Sequence, residues 1–469
     1  TVQKQERKIF MRQDANALME YLKKCVSPYH GAAVTMELLR EEGFTELPLN
    51  GAWQLAPGGR YCVACHGTMA VGFTIGESFA PEDGFHIAAS HLDWPCLYIK
   101  PDPEQIAGGC LKLSVEPYGG LILNTWLDRP LSCAGLVTLK GESSMRPREV
   151  LFDFGRPVCT IPNLAIHMNR EVNKGVPYKA NVDMLPICRT VQGEFEKNGY
   201  LVRQLAKRLQ VQPEDVLSFE LCAYCCAEPT LLGFEKDLLS SPRLDNLSSV
   251  HACLQGLADA QGDGINVAVL YDNEEIGSNT RRGADSSTLT VILEKLALSL
   301  GLDRTALLDA CLNGMLLSCD AAHAMHPNHP EYADFSCAPV LGGGVALKRS
   351  PRYSSDAETC AVIQGLCDAN QIPLQIYMNR ADLPGGSTVG SMASSLLVLF
   401  GTAYGNLTAT QASSMLYVQV LGQVAGGFCW VQVTRRWGNT ALMMISHAIP
   451  VTVALIGVGV HFAAPATGV

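Results

Sequence analysis

No cluster of basic residues and no apolar leader occurs in this chain, and charge almost vanishes from its last part. The formal net charge is −10. With no basic patch to offset it, that balance argues against a nucleic-acid or anionic-membrane surface. The opening TVQKQERKIFMRQDANALMEYLKK is charged and lacks the apolar core of a secretory signal. We therefore expect a cytoplasmic protein with reduced thiols. From residue 391 to 469 there is no Asp, Glu or Lys, and Arg435 and Arg436 are the only charged side chains. An ordinary globular segment carries about a quarter charged residues, so this tail stands apart.

The chain has 469 residues, 48% of them hydrophobic, enough for two or three domains with a sizeable core. A chain this long needs no disulfide framework, although it holds 18 cysteines. Two Cys-x-x-Cys pairs, in CVACH (Cys62 to His66) and CAYCC (Cys222 to Cys226), have haem-attachment or zinc-ribbon spacing. The first lies in what reads as a strand pair around a turn, and the two are too distant to form one ribbon. Both read as buried or half-buried structural cysteines.

Asp14 to Cys25 and the stretch SPYHGAAVTMELLREEGF have helical periodicity. Leu55 to Ile75 reads as two strands, and FHIAASHLDWPCLYIK as strand, polar break, strand. From about residue 100 to 235, short β-like runs alternate with turns. After Pro242, helices alternate with apolar strands, which implies a mostly parallel sheet flanked by helices. The expected fold class is thus α/β, a mostly parallel sheet flanked by helices in a domain made of 1–99 and 236–390. An inserted β-rich domain occupies 100–235, and the atypical apolar tail 391–469.

In open α/β sheets the chemistry sits at the carboxyl ends of strands, and there the acids gather. SHLDWP offers His91 and Asp93, PRLDN offers Asp245, YDNEEIGS offers Glu274 and Glu275, and SCDAAHAMHPN offers Asp320 with His323 and His326. In a strand, His91 and Asp93 point the same way, so the Asp93 carboxylate can hold the second nitrogen of the His91 ring. One imidazole with several carboxylates suits zinc, or manganese or cobalt. In a strand, Glu274 and Glu275 face opposite sides; one can bind metal while the other takes a proton from a water. Singly, each element is ordinary: a cap pair, a solvated loop, two packing histidines. Their joint occurrence at strand ends carries the reading.

Together, SHLDWPCLYIK, TWLDRPLSCAG, IPNLAIHMNR, SPRLDNL, YDNEEIGSNTRRGADSS, CDAAHAMHPNHPEY, LKRSPRY and NRADLPGGSTVG resemble the aspartyl aminopeptidase family of zinc metallopeptidases, in its bacterial branch. The match runs in order over about residues 10 to 390. The resemblance implies a dodecameric shell built partly by the inserted domain, peptide substrates with acidic N-terminal residues, and two zinc ions. It implies that His91 and Asp320 bind one metal, Asp245 bridges, Glu275 binds the second, Glu274 is the general base and Asp93 orients His91. It further implies that His167 reaches a neighbouring subunit's site, and that Lys348 and Tyr353 line the substrate pocket. Asp382 and Gly386 to Thr388 match the loop near the peptide backbone.

The tail departs from that pattern. The family continues with a Val-Asp-x-Gly strand and a Met-His-Ser segment whose histidine completes the second metal site. No histidine occurs here between His329 and His447. His447 and His461 come too late and lack the motif. Our reading of the tail is an out-of-frame translation of a GC-rich gene, with a membrane span or a divergent cap as alternatives. A catalytically impaired homologue, or a broad-specificity aminopeptidase or deacylase, is the alternative function.

Overall fold

INVAVLY, Ile265–Tyr271, is apolar apart from Asn266 and includes three β-branched residues, the composition of a strand buried on both faces. It forms the middle of a six-stranded sheet in a computed structural model that describes residues 14–382, apart from 263 and 352. Toward the amino terminus lie α1 (14–24), α2 (Pro28–Glu41), β1 (Thr45–Glu46), β2 (Arg60–Cys65), β3 (Met69–Ile75) and β4 (Phe85–His91). Ser27 caps α2, its hydroxyl accepting from the His30 amide at 3.3 Å, and Pro28 supplies the first helical position.

A second six-stranded sheet follows, from β5 (Cys96–Ala107), β6 (Cys110–Tyr118), β7 (Leu131–Ser143), β8 (Arg146–Asp153), β9 (Ile187–Thr190) and β10 (Val216–Cys225), ordered β8-β7-β10-β5-β6-β9. Two helices, α3 (Ala180–Asp183) and α4 (Tyr200–Leu209), and a hairpin of β11 (Thr230–Leu232) and β12 (Leu238–Ser240) accompany it. Its core gathers Leu97, Val115, Val137, Phe152, Leu205 and Leu221.

The chain then returns to the first sheet through α5 (Leu244–Ala258), the Ile265–Tyr271 strand as β13, α6 (Thr288–Ser299), α7 (Arg304–Asn313) and β14 (Met315–Ser318). A separate parallel pair, β15 (Val345–Lys348) with β16 (Leu374–Tyr377), flanks α8 (Ala357–Ala369).

The first sheet has the order β1-β2-β3-β13-β4-β14. Its β13, β4 and β14 run parallel, as expected, whereas the β2–β3 hairpin pairs antiparallel and makes the sheet mixed. Alternation along β13 divides the core. Val267, Val269 and Tyr271 pack with Ile292, Leu293 and Leu296 of α6, while Ala268 and Leu270 pack with Leu39 of α2 and Val250 and Leu254 of α5.

The same alternation settles the cysteine pairs. Cys62 and Cys65, three apart on β2, fall in opposite cores and cannot share an ion. All described cysteines are free. No described helix is long and apolar enough to cross a membrane. The 391–469 tail, with His447 and His461, lies outside the described residues, as do Gly386 to Thr388.

Candidate metal centre

Three parallel strands end side by side, and each end carries part of the site. His91 closes β4 opposite Tyr271 of β13. On the other side Ser318 of β14 pairs with Ala89, so two further residues bring Asp320 level with His91. The start of α5 supplies Asp245. There the backbone is not yet helical, and the Asp245–Asn246 peptide bond is cis. Asn246 is fully buried and ties the pieces together. Its amide donates to Ser90 Oγ at 3.0 Å and to the Cys319 carbonyl at 2.9 Å, and its Oδ1 accepts from the Ala321 amide at 3.1 Å.

His91, Asp245 and Asp320 present ligand atoms that all lie within 4.8 Å of one another. His91 Nε2 is 3.6 Å from Asp320 Oδ1 and 3.8 Å from Asp245 Oδ1. Donors around a tetrahedral zinc at ordinary bond lengths stand about 3.4 Å apart, so a small inward shift suffices. One imidazole and two carboxylates fit that ion.

Asp93 lies beneath this group, fully buried. His91 Nδ1 is 3.1 Å from the Asp93 backbone carbonyl and 3.3 Å from its carboxylate. The ring is thus turned to present Nε2, as expected, although main chain and side chain share the task. The Asp93 carboxylate also accepts the amides of Glu274 at 3.2 Å and Glu275 at 3.1 Å, and the Tyr118 hydroxyl at 2.6 Å.

The two glutamates are not in a strand. Asn273 adopts the left-handed conformation, φ +65°, which ends β13 and starts a 3₁₀ turn over Glu274–Ile276. Their placement therefore comes from a turn seated on Asp93, not from strand alternation. Glu274 Oε2 comes within 3.9 Å of His91 Nε2. Glu275 lies against Gly119, where a β-carbon would stand 2.9 Å from the Glu275 β-carbon.

Crowded carboxyls raise one another's affinity for protons. Burial pushes Glu275 up to about 7; His91 opposes the shift, and Asp93, Asp245 and Glu274 add to it. Burial likewise raises Glu274 and Asp245. Burial also works against the charge on Asp320, but its bonds to His91 and Lys348 outweigh that and hold it below its usual range. His91 is raised well above its usual value: burial opposes this, and the Asp320 and Asp93 carboxylates prevail.

Lys348 ends β15 and donates from Nζ to Asp320 Oδ2 at 2.8 Å. Tyr353 is half-buried on the loop beyond, its amide on the Ser350 carbonyl at 3.0 Å. His167 stands on an exposed loop of the β-rich part and does not join the group. His323 bonds the Tyr377 hydroxyl at 2.8 Å, and His326 accepts from the Asn328 amide at 3.2 Å. Both occupy an irregular segment rather than the helix their spacing suggests, and neither joins the metal group. Asp382 is exposed and paired with Arg380 at 2.6 Å. Sequence reasoning missed Asn246 and Tyr118. The first was visible only as the neighbour of Asp245, and the second carried no signal at all.

Comparison with known proteins shows the family. Residues 21–400 match the model of the Aminopeptidase I zinc metalloprotease (M18) family. Over 387 residues the chain is 40% identical to a probable M18 family aminopeptidase 2 of Clostridium novyi, covering 82% of this chain and 89% of that one. Among solved structures, the mApe1 dodecamer of S. cerevisiae superposes with a TM-score of 0.67 at 25% identity, covering 82% of this chain and 87% of that one. An M18 aminopeptidase from Thermotoga maritima shares the fold, with a TM-score of 0.72 at 23% identity over 84% of this chain and 88% of its own.

Proposed function

The chain belongs to the M18 family of zinc metalloproteases, and from that premise we propose that it removes N-terminal residues, acidic ones by preference, from peptides. The observation that carries this reading is the convergence of His91, Asp245 and Asp320 beside a raised Glu274. Zinc held there would supply Lewis acidity, the chemistry that activates a water and polarises a carbonyl.

The remaining work falls to the chain's own side chains. His91, Asp245 and Asp320 would hold one ion, and Asp245 and Glu275 would serve a second. Glu274 accepts the proton of the attacking water and returns it to the leaving amine. Its elevated proton affinity suits both tasks. Asp93 fixes the His91 ring and, through two amides, the turn bearing both glutamates. Lys348 pairs with the acidic side chain of the substrate, and Tyr353 borders the same pocket. Its ammonium now rests on Asp320, and an ion on Asp320 would release it.

The His167 loop exposes Leu164, Ile166 and Met168, apolar surface suited to burial against another copy. We assign it to self-association in a homododecamer, with His167 entering a neighbour's site. Residues 100–235 form the assembly domain and 236–390 complete the proteolytic one, in a cytoplasmic protein. The S. cerevisiae relative is a dodecamer.

One observation favours a second reading, a catalytically impaired homologue with a single ion. No histidine occurs between His329 and His447 to complete the second site. Metal content per chain, measured with hydrolysis of aspartyl and alanyl p-nitroanilides, separates the two. Two zinc ions and faster aspartyl cleavage support the first reading. One zinc and no cleavage support the second.

A further inference from the structure

Tyr118 is the last residue of β6, in the second sheet, yet its hydroxyl lies among residues of the first. It donates to Asp93 Oδ2 at 2.6 Å and accepts from Asn273 Nδ2 at 3.0 Å. Asn273 is held from its other end, its Oδ1 accepting the Thr280 hydroxyl at 2.7 Å. Asp93 in turn faces His91 Nδ1 and accepts both glutamate amides. A single hydroxyl therefore touches the carboxylate that orients the histidine and the asparagine that begins the glutamate turn.

The approach is close. Gly119, φ +71°, lies against Glu275, and a β-carbon there would also stand 3.1 Å from Glu275 Oε2. Burial and then the Asp93 charge push the Tyr118 phenol far up, so it remains a donor at any working pH. Its aromatic neighbour Tyr98, 5.2 Å between ring centroids, supports the ring.

We propose that Tyr118 is a positioning residue for the metal centre, acting through Asp93 and Asn273. It lends the catalytic turn a fixed point in the inserted sheet. Without the hydroxyl, Asp93 keeps its charge but loses a short bond, and the ring of His91 and the turn of Glu274 gain freedom together. The proposal rests on the metallopeptidase reading.

The test compares Tyr118→Phe with Tyr98→Phe in the full chain, the second removing a nearby hydroxyl that does not touch Asp93. Zinc affinity is measured by chelator competition, the cobalt-substituted protein by its visible absorption, and kcat and KM on aspartyl p-nitroanilide. For Tyr118→Phe we expect zinc affinity to fall about 10- to 100-fold, the range typical of residues that orient metal ligands. The cobalt spectrum should shift and kcat fall with KM nearly unchanged, while thermal unfolding stays close to that of the parent. Tyr98→Phe should match the parent in all four. Unchanged affinity, spectrum and kcat in Tyr118→Phe would overturn the proposal, as would equal losses in Tyr98→Phe. A parent chain that binds no zinc overturns the metallopeptidase reading itself. A parent that binds zinc without turnover still decides Tyr118 through affinity and spectrum.

Discussion

Asp320 stands level with His91 on the neighbouring parallel strand, its carboxylate 3.6 Å from the imidazole Nε2. Strand register creates this pairing, because β14 ends opposite Ala89 and two further residues bring Asp320 level with His91. The third ligand, Asp245, arrives from α5, fastened by the buried Asn246. A site built this way is preorganised by backbone pairing more than by side-chain packing.

Glu274→Gln keeps the size of the side chain and the amide bond to Asp93 but removes the proton acceptor. We expect kcat to drop about 10²- to 10⁴-fold, the usual worth of a general base, with zinc content unchanged. Steady-state kinetics beside metal analysis check it. Loss of zinc would instead make Glu274 a ligand.

The pH response should reverse on metal loading. Glu275 rises from 4.5 to about 7 on folding. Between those values the metal-free folded state binds more protons than the unfolded chain. Its contribution to stability is thus fully present below the lower value and lost as pH rises through the upper one. The raised His91 acts in the same sense. Zinc needs these groups deprotonated, so loaded protein should gain stability over the same rise. Calorimetry of chelated and zinc-loaded samples across that window reads both slopes.

Much of this was legible in the sequence. The apolar run of β13 and the acids after it follow from composition and periodicity alone. So do the helix of α5 and the break after His91. The shape of the glutamate pair was not legible. Strand geometry suggested opposite faces, whereas the left-handed Asn273 turns the chain at once. That conformation depends on Tyr118, 155 positions away, and on Thr280. Long-range hydrogen bonds leave no periodic trace. The mostly parallel sheet was legible too, and β3 alone runs against its neighbours because a tight β2–β3 hairpin forces antiparallel pairing.

Lys348→Gln removes the proposed partner of an acidic substrate side chain. A charge-assisted bond is worth about 1.5–3 kcal/mol, so the preference for aspartyl over alanyl p-nitroanilide should shrink roughly 10- to 100-fold. Ratios of kcat/KM for the two substrates give the answer. An unchanged ratio would place acidic recognition elsewhere.

His167→Ala should leave zinc binding intact and lower kcat, because the side chain is exposed and takes no part in the group within one chain. Light scattering should show the assembly preserved. Mixing this variant with Glu274→Gln should restore part of the activity, since each then supplies what the other lacks.

Dependence of hydrolysis on metal tests the account most directly. Chelated protein should lose cleavage of aspartyl p-nitroanilide and regain it when zinc is returned, with His91→Ala regaining none. Cleavage that survives complete chelation, or a zinc-loaded chain that cleaves no N-terminal residue, would contradict it.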